Sequence, residues 1–570
     1  MTTSTVTNQA KPAAVSGGGA EPPRASGGLP VLGQMLNFVR NPYQFVKGLA
    51  DRHGEIVSFK LLGQRIVLLT GEEASTLFYR SSDEQLDQSA AYKLMTPIFG
   101  EGLVFDAPND RKNEQLKSLM PSLRMEAMRD HSHKIVKEVE ESIADWGDSG
   151  EIDLVDFMKR LTINTASHCL LGREFRYELS EEFAEIYHDL EQGVHPLAYH
   201  FPGLPLPRFR RRDRARARLQ TLVGGIVERR KAQTDKPTDM FQSLIDMRYE
   251  DGSALDDNEI TGLLVGAIFA GHHTSSGTAA WVLLELLRHP DYLRRVNREL
   301  DTLLGAEGAV SFQSLREVPT LENALKEVLR LHPPLIILMR KVSEPLTFKH
   351  YRIAEGDMVW TSPPVTHRIA SLFANPFVFD PDRFSKERGE DRRLMAYQPF
   401  GGGKHKCSGN AFAMFQIKAI FAILLRRYDF ELVDAPDSYV DNYAEMIVQP
   451  MTPCRVRYRR RDPASFSSRL GSSAETGAET DTLARCPAHS QRAEPQSEQL
   501  VEQSLLVEVD RQLCQGHAMC TGEAPEVFKV NDDGVLTIVD NTVSEARRKR
   551  IEAAVAHCPN QALRIVKAAH

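Results

Sequence analysis

Through most of the first 457 positions, apolar residues recur at intervals of three and four, broken by clusters of Pro and Gly, and that period predicts helices. The predicted helices cover 124–146, 155–171, 214–232, 256–289, 291–304, 321–331 and 409–427. Short β-rich runs at 56–62, 65–70, 345–348 and 358–361 predict strands. The longest helix opens on Asp256, with Glu259 placed to answer it as a cap, and Pro290 stops it. At 1.5 Å per residue it is a rod of about 50 Å, enough to cross a whole domain. From Ile260 to Leu284 it carries no Asp, Glu, Lys or Arg, a length that hydropathy alone would let span a bilayer. Its middle, however, reads Gly271-His272-His273-Thr274-Ser275-Ser276-Gly277, which suits the buried centre of a soluble core better than lipid.

The pattern fails at both ends of this region. Residues 1–28 are Ser, Thr, Gly, Ala and Pro without an apolar core, which predicts a disordered tail and neither a signal peptide nor an anchor helix. Residues 459–503 are Ser, Ala, Glu, Thr, Gln and Arg with few large apolar side chains, and read as a flexible linker. Pattern resumes with strands at 505–510, 534–540 and 562–566 and a helix at 544–557. The expected organisation is a tail (1–28), a mainly α domain with small sheets (29–458), the linker, and a small α+β domain (504–570). So small a domain benefits from an internal metal cluster. The net charge of −7 gives no basic field for nucleic acid, and seven scattered cysteines make no disulfide framework. A soluble, cytoplasmic bacterial protein without a transmembrane segment is expected.

Candidate chemistry starts at Phe400-Gly-Gly-Gly403-Lys-His405-Lys-Cys407-Ser-Gly409. The glycines let backbone approach a flat ligand, and the thiolate sits just before an apolar helix. A thiolate on haem iron pushes electron density toward bound oxygen; a buried free cysteine beside a glycine turn is the plainer alternative. Upstream, Glu327 and Arg330 lie on one helix face, and Arg383 in Phe379-Asp-Pro-Asp-Arg383-Phe384 could close a triad with them and pin the loop leading to Cys407.

With these motifs the chain resembles the cytochrome P450 superfamily over about 430 residues. The resemblance implies haem b on Cys407, O2 as co-substrate, two single-electron deliveries, and protons led to the distal oxygen. Gly271 would permit a local widening of the central helix, and Thr274 would hold the oxygen ligand or a water. Most members place an acid before this threonine; here it is His273, which can shuttle protons. Phe269-Ala-Gly-His-His-Thr-Ser-Ser276 and Tyr92-Lys-Leu94-Met95-Thr-Pro97-Ile-Phe99-Gly100-Glu-Gly102-Leu-Val104-Phe-Asp106 resemble the central helix and distal loop of the sterol 14α-demethylases. That branch implies removal of a 14α-methyl group in three oxidations, through alcohol and aldehyde to formate and a 14,15 double bond. It also implies that Tyr92, Leu94, Met95, Phe99, Ala270, His273, Leu335 and Met446 line the sterol cavity. Ordinary core packing is the alternative for the aliphatic residues among them. Leu94 points toward a 4,4-dimethyl substrate such as lanosterol. For the haem, Tyr92, Lys112, Arg340 and His405 are the implied propionate partners, with Phe400, Gly403 and Gly409 against the ring.

Downstream, Cys514-Gln-Gly-His517-Ala-Met-Cys520 and Cys558-Pro559 read C-x2-H-x2-C…C-P, close to the bacterial ferredoxin run. Three thiolates suggest a 3Fe-4S cluster; a 4Fe-4S cluster using His517 and a Cys3His zinc site stay open. Cys169 and Cys454 read as structural, and Cys486-Pro487 as incidental. Residues 505–545 hold eight acids against two bases, whereas the Cys407 loop carries Lys404 and Lys406, so an acidic cluster face could dock there. The absence of a dinucleotide fingerprint calls for a separate NAD(P)H-dependent flavoprotein reductase. The basic, proline-broken stretch 195–218 is a candidate for peripheral contact with lipid. A monooxygenase of fatty acids, terpenes or xenobiotics, and a haem–iron–sulfur redox or gas sensor, are the competing functions.

Overall fold

The computed structural model describes residues 19–123, 125–194, 198, 203–305, 309–393, 395–443, 445, 447–462, 505–511, 514, 519–530, 535–556, 558 and 562–567. His517, Met446, Cys486 and most of 195–202 therefore lie outside the described residues. The architecture is mainly α with small sheets.

The helices that place the site are α1 (Met125–Ser142), α2 (Leu154–Ala166), α3 (Ser180–Glu191), α4 (Pro207–Ala232), α5 (Asp257–Arg288), α6 (Pro290–Leu304), α7 (Pro319–Leu331) and α8 (Asn410–Arg427). Helix α5 is 32 residues long and carries the expected capping box between Asp256 and Glu259. Pro290 does more than stop it: it is the first residue of α6, where its missing N–H costs nothing. Helix α5 packs against α2, α4 and α7, and α8 packs against α1. From Ala279 to Leu284 α5 is buried all round, which is why this stretch can be apolar on every face. Helix α4 begins seven residues before the expected start because its first turns are arginine-rich and hide the apolar period.

Beside the helices lies a five-stranded sheet of β1 (Ile56–Leu61), β2 (Gln64–Leu69), β3 (Leu86–Asp87), β4 (Leu338–Val342) and β5 (Met358–Thr361), in spatial order β1-β2-β5-β4-β3. Two boundaries differ from the composition-based reading. Ser58 donates its N–H to the Pro23 carbonyl at 2.7 Å and its carbonyl accepts from Ala25 at 2.8 Å, so part of 19–28 lies along β1. Proline-rich chain is already extended and pairs through carbonyls without needing apolar side chains. At the other end the strand Arg455–Arg460 continues past 458, and Arg461 is buried against Asp429 at 2.9 Å.

The C-terminal unit contains β6 (Leu505–Val509), α9 (Met519–Glu523), β7 (Phe528–Val530), β8 (Leu536–Ile538), α10 (Glu545–Ala556) and β9 (Leu563–Lys567). β6 pairs antiparallel with β9, and β7 with β8. Its small core includes Val507, Phe528, Ile551 and Cys520.

One buried charge cluster ties α7 to the long irregular segment that follows β5. Arg330 donates to both Glu327 carboxylate oxygens at 2.7 and 2.8 Å, and Arg383 donates to Glu327 at 3.3 Å. Arg330 also reaches the carbonyls of His367, Pro376 and Val378, and Arg383 that of Asn375. All three side chains are fully withdrawn from water. His367 then accepts the N–H of Gln398 at 2.9 Å, which starts the run into the glycine loop.

Glu327→Gln strands two buried guanidinium groups, so a loss of about 3–5 kcal/mol is expected, read as a lowered thermal midpoint. Burial first, then the Arg330 and Arg368 charges, push the His367 imidazole down to about 3. Its folded value lies below its unfolded one, so its contribution is complete above about pH 6.5 and is lost as pH falls toward 3. Urea midpoints between pH 7 and 5 are expected to fall more steeply in the natural protein than in His367→Asn.

Candidate active site

The Cys407 loop is held in shape by its own backbone. Cys407 donates its N–H to Phe400 O at 2.9 Å, Lys406 to Gly403 O at 3.2 Å, and Asn410 caps the Cys407 carbonyl from the first turn of α8 at 2.8 Å. Gly403 has φ +65°, and a Cβ there would lie 1.9 Å from the Tyr79 carbonyl oxygen, so glycine is obligatory. The sulfur opens onto a large cavity instead of packing against side chains. Burial raises the Cys407 thiol pKa, while the Gly409 N–H and the Lys406 charge pull it back. A thiol so placed suits a cation that takes the proton's place.

The cavity has a volume of about 2470 Å³. That exceeds twice the ~1,000 Å³ of a large single-ligand pocket, leaving room for a flat cofactor and a substrate together. Tyr92, Lys112, Phe400, Gly403, His405 and Gly409 all border it. Arg340 stands behind the wall, donating to Phe78 O at 2.9 Å, with Tyr79, Asp83 and Tyr92 in its field. Burial first lowers the His405 pKa; Asp83, its ion-pair partner, opposes this, and the Arg340 and Lys112 charges add to it. Two cations, Arg340 and Lys112, and the His405 imidazole therefore converge on one end of the cavity. Beside them the Tyr79 hydroxyl is buried with no hydrogen-bond partner among the described residues. Converging cations and an unspent hydroxyl donor suit the carboxylates of a haem, and the residues fit that group.

Across the cavity runs α5. It keeps regular α-helical pairing through Gly271, so the expected widening is not seen. Room arises instead because Gly271 has no side chain: a Cβ there would meet nothing within 4 Å. Thr274 donates its hydroxyl to the Ala270 carbonyl one turn back, at 2.7 Å, leaving its lone pairs free for the cavity. His273 pairs with the Glu191 carboxylate at the end of α3, and the neighbouring His272 donates Nε2–H to Lys159 O at 3.0 Å. Burial raises the Glu191 carboxyl, but the two imidazoles outweigh it and hold it down to about 2. Burial also lowers the His272 pKa. Neither Glu191 nor Asp83 carries a local sequence signal; each comes from an element remote in the chain.

Leu94, Met95, Phe99, Ala270 and Leu335, with Tyr92, share the cavity wall. Aromatic contacts stiffen it: Tyr92 stacks on Phe105 at 4.9 Å, and Phe99 meets Phe269 edge-on at 6.0 Å. Most of this wall is hydrocarbon, matching an apolar rigid ligand.

In the C-terminal unit, Cys520 is buried in the core while Cys514 and Cys558 pack against it. Burial first, then the nearby Cys558 and Cys514 thiolates, push the Cys520 thiol up to about 12, so the three sulfurs converge. The Cys558 sulfur accepts the Ala562 N–H at 3.2 Å. Such a set fits an iron–sulfur cluster. Cys169 and Cys454 are buried elsewhere. Asp510, Arg511 and Cys514 border the same cavity as Lys406 and Cys407, and Arg316 pairs with Glu523 across the two units. Burial lowers Lys406 to about 8, against the opposing pull of both Cys558 and Cys407. No helix among the described residues is long and apolar enough to cross a membrane.

Comparison with known proteins agrees with this geometry. The cytochrome P450 family model matches residues 22–457, and the 4Fe-4S single cluster domain matches residues 507–565. A sterol 14α-demethylase of Mycolicibacterium vanbaalenii is 47% identical over 446 residues, covering 77% of this chain and 98% of that protein. The sterol 14α-demethylase of Mycobacterium tuberculosis is 48% identical over 444 residues, again covering 77% and 98%, and the lanosterol 14-alpha demethylase of Bos taurus is 37% identical over 447, covering 78% and 89%. The retinoic acid-bound cyanobacterial CYP120A1 structure superposes with a TM-score of 0.71 at 24% identity, over 78% of this chain and 100% of that one, a likeness of fold alone. The chain is thus an enzyme of the cytochrome P450 family, in its sterol 14α-demethylase branch, with a ferredoxin-type iron–sulfur domain at its C-terminal end.

Proposed function

We propose that this enzyme removes the 14α-methyl group of a lanosterol-type sterol in three successive O2-dependent oxidations, releasing formate, with electrons supplied by its own ferredoxin domain. The observation that carries this reading is one cavity bordered by the Cys407 sulfur, by Thr274, His273 and Glu191, and by an apolar aromatic wall. Relatives at 47 and 48% identity named as sterol 14α-demethylases support the substrate class.

Haem bound through Cys407, with its carboxylates toward Arg340, Lys112, His405 and Tyr79, supplies oxygen activation, which the thiolate favours by donating electron density. The remaining work belongs to the chain. The hydrocarbon wall from Tyr92 to Phe99, with Ala270 and Leu335, holds the rigid sterol and excludes water. Thr274, its own proton committed to Ala270 O, accepts a hydrogen bond from a water or another donor in the cavity. His273 brings protons from the Glu191 side of α5 to that point, in the place where most relatives use an acid. Each oxidation takes up one O2, two electrons and two protons.

Cys514, Cys520 and Cys558 would hold the cluster, which would supply electrons one at a time. A 3Fe-4S cluster is the favoured form because the motif puts His517 where a fourth thiolate would stand; a 4Fe-4S cluster with His517 is the alternative. Fusion in one chain raises the concentration of each unit around the other. Arg316 and Glu523 then help seat the ferredoxin domain beside Lys406. A separate NAD(P)H-dependent flavoprotein reductase feeds the cluster.

Formate release from a 14α-methyl sterol, with reductase and NADPH present, tests the reading; folded, haem-loaded enzyme that releases none from lanosterol while oxidising a fatty acid or terpene refutes it. Glu191→Gln removes the anion paired with His273, and a fall of about 10²-fold in turnover is expected with the sterol-binding difference spectrum unchanged.

A further inference from the structure

We propose that Glu191, His272 and His273 form a binding site for a zinc-class divalent cation on the wall of the substrate cavity. One ligand atom from each of the three residues lies within 4.8 Å of the others. Glu191 ends α3, and the two histidines are consecutive on α5, so the set is fixed by two packed helices.

The second observation is the state of His272. Its Nε2 faces the Lys159 carbonyl oxygen at 3.0 Å and must carry a proton to do so. In the neutral ring the lone pair is then on Nδ1, which is buried and has no hydrogen-bond partner among the described residues. Instead it faces Glu191 Oε1 at 3.7 Å, too far for a hydrogen bond. Two electron-rich atoms thus look at one another across a gap, an arrangement that a cation between them would satisfy. A metal-binding imidazole typically has its other nitrogen anchored on a carbonyl or carboxylate, and Lys159 O provides that anchor. The Tyr187 ring lies 5.4 Å from His272 and 6.4 Å from His273, and the pKa of its hydroxyl is raised by burial first and then by the field of Glu191.

Two imidazole nitrogens and one carboxylate oxygen make the ligand set of open tetrahedral zinc sites, not of calcium or magnesium, which take oxygens. Zinc bonds of about 2.0–2.2 Å bring such donors to roughly 3.3 Å from one another, a contraction within reach of side-chain rotation. Glu191 and His273 border the cavity, so the ion has an entry path and a water for its fourth position. Occupation takes the His273 nitrogen from the Glu191 hydrogen bond. Resting on the proton-relay reading above, zinc is therefore expected to stop turnover reversibly.

The test uses full-length holoenzyme with haem and cluster loaded. Zinc bound per chain is measured by equilibrium dialysis on the resting protein, without sterol or reductase, for the natural sequence, His272→Asn and Glu191→Gln. Asn keeps a donor for Lys159 O, and an unchanged reduced carbon monoxide spectrum certifies each variant. One zinc that binds at least tenfold more weakly in both variants supports the site; equal stoichiometry and affinity in all three overturns it. Turnover read separately distinguishes the two claims. Zinc inhibition that chelator reverses, and that His272→Asn moves to at least tenfold higher zinc, supports the site; zinc bound at these residues with turnover untouched supports the site and overturns the relay role of His273.

Discussion

Three charged side chains withdrawn from water hold the proximal half of the site in place. Glu327 takes Arg330 and Arg383 on its carboxylate oxygens, and the guanidinium donors left over reach backbone carbonyls at 367, 375, 376 and 378. Irregular chain has no ladder to satisfy its carbonyls, so a buried segment of this kind needs donors from elsewhere. Arginine suits the task because its five N–H groups fan out in a fixed plane. From this node the order passes to His367, through its ring nitrogen to Gln398, and so to the glycine loop and Cys407. The sulfur's position is therefore set by a polar network anchored about 77 residues upstream, while the helices around it only exclude solvent.

The opposite wall obeys the same rule with a different outcome. Helix α5 is apolar because it is buried all round from Ala279 to Leu284 and lines a hydrocarbon cavity before that, and the few polar groups it carries there need partners. Thr274 uses the carbonyl one turn back, and His272 uses a carbonyl on α2. His273 reaches a carboxylate on α3. The two imidazoles on Glu191 keep its carboxylate charged next to a hydrocarbon cavity. Such groups belong to function more often than to packing.

Elements set by periodicity were legible. The bounds of α5, α6 and α8 lie within a residue or two of those the apolar spacing gives, and Met358–Thr361 has the same bounds in both. The Cys407 frame, the Glu327–Arg330–Arg383 set and the three cluster cysteines were readable because glycine, charge and thiol spacing are local. Glu191 and Asp83 were not, since each meets its histidine only after remote elements pack. The arginine-rich start of α4 also hid its helix, because a stretch with few apolar residues offers no period to read. At Gly271, sequence reasoning placed extra space correctly but assigned it to a distorted helix, when the missing Cβ supplies it within a regular one.

Joining the two redox units in one chain changes what the surface must do. A free ferredoxin needs enough docking energy to be captured from dilute solution, whereas one fused in the same chain needs less, because fusion raises its local concentration. The contacts are consistent with that economy: an Arg316–Glu523 pair at the edge and a single lysine, Lys406, within the field of both Cys407 and Cys558. For the proposed electron transfer, a lysine there eases the close approach of the two sulfur-bearing loops.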